Sequence, residues 1–301
     1  MASKTHSFTD RQRMSRSTFE VYHYRDENVK EVALHHHDFY EIYFFISGNL
    51  SYNIESRSYR LSPGDVLLIN PQELHQPIFS PEKQHYERYV LWISPGILQQ
   101  FTLPGQDLSR CFDASLPSHT NLVRPDGVSR ELLTYLFQQL IREQDSGEFA
   151  SELNCLSLLT QLLVNRTALR AGRAPEPREN ADSLVYRILG YITDHYHEDL
   201  SLDFLANEFF ISKYHLSREF SRVVGTSVHR YIVQKRLIMA RQMMAAGTST
   251  SEVSQLCGFG DYSNFYRAFT GEYQISPRKY LEELKKENPI HPDLIRLRER
   301  E

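Results

Sequence analysis

The chain has 301 residues, enough for two domains that each bury a core. A hydrophobic fraction of 41% and a charged fraction of 24% exclude a disordered or fibrous polypeptide. A net charge of −4 taken alone argues against a nucleic-acid partner, but the charge is unevenly placed. Between residues 212 and 241, the bases Lys213, Arg218, Arg222, Arg230, Lys235, Arg236 and Arg241 face a single acid, Glu219. A local field of that sign attracts phosphate whatever the total. Cys111, Cys155 and Cys257 are far apart and odd in number, so neither a disulfide framework nor a cysteine metal site is expected. The N-terminus lacks an apolar targeting core, and no apolar stretch approaches membrane-spanning length. The expectation is a cytoplasmic protein with no membrane partner.

From Thr18 to about Trp92 the pattern is strand-like. Residues 19–24 alternate, and residues 40–46 are rich in aromatic and β-branched side chains. Ser47-Gly48-Asn49 forms a turn, and Leu50 to Ile54 alternates again. Ser62-Pro63-Gly64-Asp65 is a turn signal ahead of Val66-Leu67-Leu68-Ile69, which Asn70-Pro71 closes. Short strands at this spacing predict a small barrel or sandwich over residues 1–125.

The period then becomes helical. Leu132, Leu133, Leu136, Phe137, Leu140 and Ile141 share a face, as do Phe149, Leu153, Leu156, Leu159, Leu162 and Leu163 after the break at Ser146-Gly147. Residues 126–170 therefore read as a helical hairpin, which either caps the barrel or forms the seam of a homodimer. Pro175 and Pro177 mark residues 171–182 as a linker. Residues 183–288 read as all-helical, and 289–301 as a solvated tail.

Within the helical part the sequence echoes itself. Arg218-x-Phe220, followed by Ser227 and Tyr231, recurs as Arg267-x-Phe269, followed by Ser276 and Tyr280, at the same internal spacing. Each copy follows a short helix, with Leu202, Leu205 and Ala206 inward in the first and Val253, Leu256 and Cys257 inward in the second. Ser212 and Asp261 are N-caps for the helices that follow. On the first of these, Leu216 and Phe220 anchor inward while Tyr214, Ser217 and Arg218 point out beside Lys213; on the second, Phe265 and Phe269 are the anchors. Side chains near the start of such a helix are the ones that meet base edges in a major groove. The intervening helix, from Tyr231 to Met244, would act as a rigid spacer and set the two readers in successive grooves, roughly 34 Å apart.

These residues resemble the AraC/XylS family of transcription regulators. The first block is Leu205-Ala206, Ser212-x-x-x-Leu216-Ser217-Arg218-x-Phe220, Gly225-x-Ser227 and Arg236-Leu237-x-x-Ala240. The second is Cys257-Gly258-Phe259-x-Asp261-x-Ser263-Asn264-Phe265-x-Arg267-x-Phe269 with Ser276-Pro277-x-x-Tyr280. Val228 stands where the family commonly has proline, and Gln274 where it commonly has glycine. The resemblance implies base-facing roles for Tyr214, Ser217 and Arg218, and for Tyr262, Ser263, Asn264 and Arg267. Arg222, Arg230 and Lys279 fit phosphate contacts, which set register without reading sequence.

In the N-terminal part, His35-x-His37-x-x-x-Glu41, with Gly48 beyond, resembles the first motif of the cupin barrels. His35 and His37 fall on one strand face, and His75 stands where a third inward histidine would come. Such a set could hold a divalent transition metal. The second motif departs from the cupin pattern at Glu73, at the Pro-to-His distance and at Phe79. The expectation is accordingly a pocket for a small organic effector, lined by His35, His37, Glu41, His75, Tyr43 and Trp92, with no resident cofactor. The resemblance implies a sugar or related metabolite as effector.

Together these features predict an α+β multidomain protein: a cupin-like β-barrel with a helical hairpin, then an all-α double helix-turn-helix domain. The expected function is a sequence-specific transcription regulator rather than an enzyme, with double-stranded DNA, RNA polymerase, an effector and a second copy of itself as partners. The rival reading is a metal-dependent cupin enzyme carrying a DNA-binding appendage.

Overall fold

A computed structural model describes residues 12–27, 29, 31–80, 85–100, 107–114, 116, 119–164 and 183–287. The linker at 171–182 and the tail at 289–301 lie outside the described residues. The chain divides into two compact units, residues 1–187 and 188–301.

The first unit holds eight strands: β1 (Phe19–Glu27), β2 (Tyr40–Ser47), β3 (Leu50–Ile54), β4 (Arg57–Arg60), β5 (Val66–Ile69), β6 (His75–Phe79), β7 (His85–Ile93) and β8 (Leu122–Val123). Their helices are α1 (Pro95–Gln100), a short 3-10 turn (Leu108–Phe112), α2 (Gly127–Glu143) and α3 (Ser151–Val164). The α+β organisation is as expected, but the strands do not close into a barrel. They form a five-stranded sheet, in the order β1-β7-β2-β5-β8, and a three-stranded sheet, in the order β4-β3-β6. The chain crosses between them at Ser47-Gly48-Asn49, where the β2–β7 register also slips between Phe45 and Ser47.

The larger sheet is buried on both faces, which explains why its strands read as nearly continuous apolar runs. Tyr43, Phe45, Leu67, Ile69, Val90 and Trp92 point to the smaller sheet and share a core with Leu50, Tyr52, Ile54 and Tyr59. Ile42, Phe44, Val66, Leu68, Tyr89 and Leu91 point the other way, onto the helices. There Phe137 of α2 stacks on Phe44 and Tyr89, with ring centroids 5.7 and 5.4 Å apart. The hairpin therefore caps the outer sheet face through Leu133, Leu136, Phe137 and Leu140. Three predicted inward residues do not join it, the first being Leu132 of α2, which is 36% exposed. Phe149 precedes α3 and is fully exposed, and Leu153 is 69% exposed. Periodicity marked an apolar stripe there, but the sheet reaches only the part of α3 beginning at Cys155.

The second unit is helical: α4 (Leu184–His195, which begins just before the division), α5 (Leu202–Glu208), α6 (Lys213–Val224), α7 (Val228–Ala245), α8 (Thr250–Leu256), α9 (Tyr262–Tyr273) and α10 (Pro277–Glu287). Helix α7 is the spine. Its N-terminal half presents Tyr231, whose ring packs 5.7 Å from that of Phe220. Its C-terminal half gives Leu237, Ala240 and Met244 to a core with Val253, Cys257, Phe265 and Phe269. The sequence echo now has a physical meaning. Ser227 and Ser276 each accept an N–H from the residue three further on, at 3.2 Å, and so cap the helix after each reader. Tyr231 and Tyr280 follow one turn later, and Tyr280 packs 5.6 Å from Phe269 as Tyr231 packs on Phe220. Leu202 and Leu256, expected inward, are 36% and 48% exposed, because α5 and α8 have only seven residues and bury a narrow stripe.

Candidate nucleic-acid interface and effector pocket

Ser212 starts α6 by accepting the N–H of His215 at 3.2 Å, and Gly225 ends it in the left-handed region at φ 73. Burial of Leu216 and Phe220 turns Lys213, Tyr214, Ser217, Arg218 and Arg222 toward solvent. Tyr214 is 75% exposed, with the Arg218 guanidinium 5.8 Å from its ring centroid. Glu219 lies between two of the bases, 2.8 Å from Arg222 and 3.3 Å from Arg218. Its carboxyl is held below the usual range by the Arg222 hydrogen bond first and by Arg218 as well. Lys213 pairs with Asp203 at 2.8 Å.

The second reader is organised differently. Asp261 accepts the Asn264 N–H at 2.7 Å and the Asn264 side-chain amide at 2.9 Å. Arg267 then donates to Asn264 Oδ1 at 2.7 Å, so one polar chain runs along the exposed face of α9. Tyr262 and Ser263 are exposed beside it, as is Tyr266, which the sequence reading did not put among the contacts. Lys279 is exposed at the start of α10, 3.9 Å from Glu283.

The basic field is smaller than the sequence count. Lys235 is buried, Arg236 donates to the carbonyls of Tyr196 and Glu198 at 2.8 and 2.6 Å, and Arg241 stacks on Tyr273 and Tyr280. All three lie on the stretch of α7 from Lys235 to Arg241, where neighbouring elements cover or bond them. The exposed bases are therefore Lys213, Arg218, Arg222 and Arg230 on the first side.

In the first unit, all six predicted pocket residues are buried between the two sheets. Trp92 Nε1 donates to Glu41 Oε2 at 3.0 Å, and that oxygen lies 3.3 Å from His37 Nε2. The His37 and His75 rings are 4.8 Å apart, and those of His35 and His75 4.3 Å. Tyr52 stacks on His75 at 6.2 Å and meets Tyr43 at 5.1 Å. Backbone pairing between His35 and His75, at 2.9 and 3.1 Å, joins the segment before β2 to the smaller sheet. Burial, reinforced by His35 and His37, pushes the His75 imidazole well below its ordinary range. Burial likewise pushes the Tyr43 and Tyr52 phenols well up.

Arg88 was missed. It is 1% exposed, pairs with Asp26, and lies 4.1 and 4.6 Å from the rings of Tyr86 and Tyr24. The signal existed: on β7, Tyr86, Arg88, Val90 and Trp92 alternate onto one face. Its charge obscured it, since arginine is rarely buried unless paired.

Two presented reader helices in one unit, and a ligand-binding type of domain with a buried polar cluster in the other, define a DNA-binding regulator with a sensory module. Comparison with known proteins agrees for both parts: residues 18–163 match the AraC-like ligand binding domain and residues 205–283 a helix-turn-helix domain. The chain belongs to the AraC/XylS family of transcription regulators. It is 28% identical over 250 residues to the HTH-type transcriptional activator RhaS of Enterobacter sp. (strain 638), covering 81% of this chain and 86% of that one. The RhaS of Citrobacter koseri is likewise 28% identical, over 245 residues, with coverage of 81% and 85%. Among solved structures, ToxT from Vibrio cholerae strain SCE256, bound to unsaturated fatty acid, is similar over 90% of this chain and 97% of its own, at 14% identity and a TM-score of 0.37. The C-terminal domain of AraT, a response regulator from Geobacillus stearothermophilus, is similar over 35% of this chain and 88% of its own, at 23% identity and a TM-score of 0.34. No helix among the described residues is long and apolar enough to cross a membrane.

Proposed function

We propose that this regulator is an activator that senses a sugar or related metabolite in the pocket between its sheets and reads two successive major grooves. The observation that carries the reading is the duplicated reader: in each unit buried phenylalanines turn one polar, aromatic and arginine-bearing helix face to solvent. Tyr214, Ser217 and Arg218, with Tyr262, Ser263, Asn264 and Arg267, make the base contacts. Lys213, Arg222, Arg230 and Lys279 contact phosphate and set the register. Activator character follows the RhaS relatives, whose match takes in most of the chain. RNA polymerase is then the protein partner, and the cytoplasm the place of action.

The effector assignment rests on side-chain chemistry. Aromatic faces at Trp92, Tyr43 and Tyr52 beside buried polar groups at Glu41, His37, His35 and His75 suit a polyhydroxylated ring. The hairpin supplies a homodimer seam. Val128, Leu132 and Tyr135 form an exposed apolar stripe along α2, with Leu153 and Val164 exposed on α3. A second copy with the same stripe would bury it isologously.

The test is a footprint of the full-length protein on its own promoter region, with and without a panel of sugars and sugar acids. Protection should span two adjacent major grooves per protomer, and one sugar should change occupancy while raising the thermal midpoint. Protection of one groove segment only would refute the double reader, and indifference to every sugar would refute the effector class.

A further inference from the structure

We propose that His37, Glu41 and His75 bind one divalent first-row transition cation between the two sheets, with the His35 ring packed beside His75. Donor atoms of the first three all lie within 4.8 Å of one another, and all three residues are buried. This convergence is built by different parts of the fold: the segment before β2, β2 itself, and β6 of the opposite sheet.

The hydrogen bonds around the cluster fix which atoms can coordinate. His75 Nδ1 lies 2.8 Å from the carbonyl of Glu73, and His35 Nδ1 lies 2.8 Å from the carbonyl of Ala33. A carbonyl can only accept, so both Nδ1 atoms carry the proton, and in each neutral ring Nε2 is left as the base. His75 Nε2 is buried and has no hydrogen-bond partner among the described residues. An imidazole whose far nitrogen donates to a backbone carbonyl, leaving Nε2 unprotonated, is the usual outer-shell arrangement of a metal ligand. Glu41 is oriented in the same manner by the indole N–H of Trp92 at 3.0 Å. A carboxylate 3% exposed needs a countercharge, and a cation held with it by imidazoles supplies one.

Imidazole nitrogen with one carboxylate oxygen suits zinc, nickel, iron or copper better than magnesium or calcium, which prefer oxygen alone. Three protein donors leave coordination positions for a small oxygen ligand. The metal site stands on this donor geometry and does not require the effector to be a sugar. It revises the expectation that the pocket holds no cofactor.

The experiment uses full-length protein purified without a histidine tag, stripped with EDTA and titrated with cobalt(II) chloride. One equivalent should produce visible ligand-field absorption, which zinc chloride should then displace, and zinc should raise the thermal midpoint of the stripped protein. His75→Gln and Glu41→Gln should abolish the absorption at one equivalent. Trp92→Phe, a milder change, should weaken cobalt binding by about 10-fold through loss of the N–H that orients Glu41. Absence of cobalt absorption in the wild type would overturn the site, as would unchanged binding in whichever of these variants unfold cooperatively. A protein that takes up no cobalt yet still footprints DNA would sink this inference and leave the regulator standing.

Discussion

The two helix-turn-helix units share a plan but place their conformational strain at opposite ends. In the first, the turn between α5 and α6 carries Phe210 at φ 54, where the second carries Gly258 at φ 74. At the far end of the reader the roles reverse, with Gly225 at φ 73 after α6 and Gln274 at φ 59 after α9. Space explains the first difference. A Cβ on Gly258 would sit 2.6 Å from the carbonyl oxygen of His197, whereas Phe210 is 94% exposed. A left-handed turn needs glycine only where something is packed against it; elsewhere a side chain is tolerated at a cost of about 1 kcal/mol.

Gly258 is the position where substitution should be most damaging. Gly258→Ala combines a positive φ with a backbone clash that no side-chain rotation relieves, so we expect a loss of about 3 kcal/mol. Urea unfolding of the full-length protein, followed by helical circular dichroism, measures it. Phe210→Ala should cost far less, since alanine takes the same φ in open space. Equal losses would mean that the packing against His197 does not distinguish the two turns.

The readers differ in how their arginines are held, and this yields the next effect. Arg267 is aligned by the Asp261–Asn264 chain, whereas Arg218 shares Glu219 with Arg222. Arg267→Ala should therefore cost roughly 1–3 kcal/mol of specific affinity and relax base preference at one position, read by binding to a randomised operator library. Unaltered preference at every position would reduce Arg267 to a phosphate contact. Arg222→Ala should weaken binding to all sequences and lower the salt slope by about one unit. Glu219→Gln should act in the opposite direction, raising affinity for any sequence by freeing Arg218 and Arg222 from an anion beside the phosphates. A slope unchanged by Arg222→Ala would place that side chain off the backbone.

The same contrast shows what the sequence could and could not disclose. Caps at Ser212 and Asp261 were legible because an N-cap depends on residues three positions apart; those at Ser227 and Ser276 showed only as repeated positions. The burial of His35, His37, Glu41, His75, Tyr43 and Trp92 matches their reading as inward residues, although His35 and His37 lie in the segment before β2 and not on a strand. The fate of Lys235, Arg236 and Arg241 was not legible. Each reads as a surface base by identity, but α7 packs against both helix-turn-helix motifs of its own domain, and the guanidinium groups of Arg236 and Arg241 bond or stack on neighbours far along the chain. Arg88 escaped for the same reason, its partner Asp26 lying on the strand paired with β7. Sheet closure was also hidden, because short alternating strands look alike whether the ladder is continuous or interrupted at Ser47-Gly48-Asn49.

Gln274 ends α9 in the left-handed region, and its side-chain amide donates to the Gly271 carbonyl at 2.8 Å. Gln274→Gly removes the Cβ strain and that hydrogen bond together, while the unfolded chain gains freedom. Phe210→Gly removes strain alone, because that side chain is almost wholly in solvent. Both substitutions should stabilise, Phe210→Gly by about 0.5–1 kcal/mol and Gln274→Gly by less, since its lost hydrogen bond offsets part of the relief. Thermal midpoints of the two variants and their double combination measure this. Because the sites belong to separate turns with no shared partner, their effects should add. A double variant far from the sum would mean that the spine helix couples the two ends, and the units could no longer be treated as independent copies of one plan.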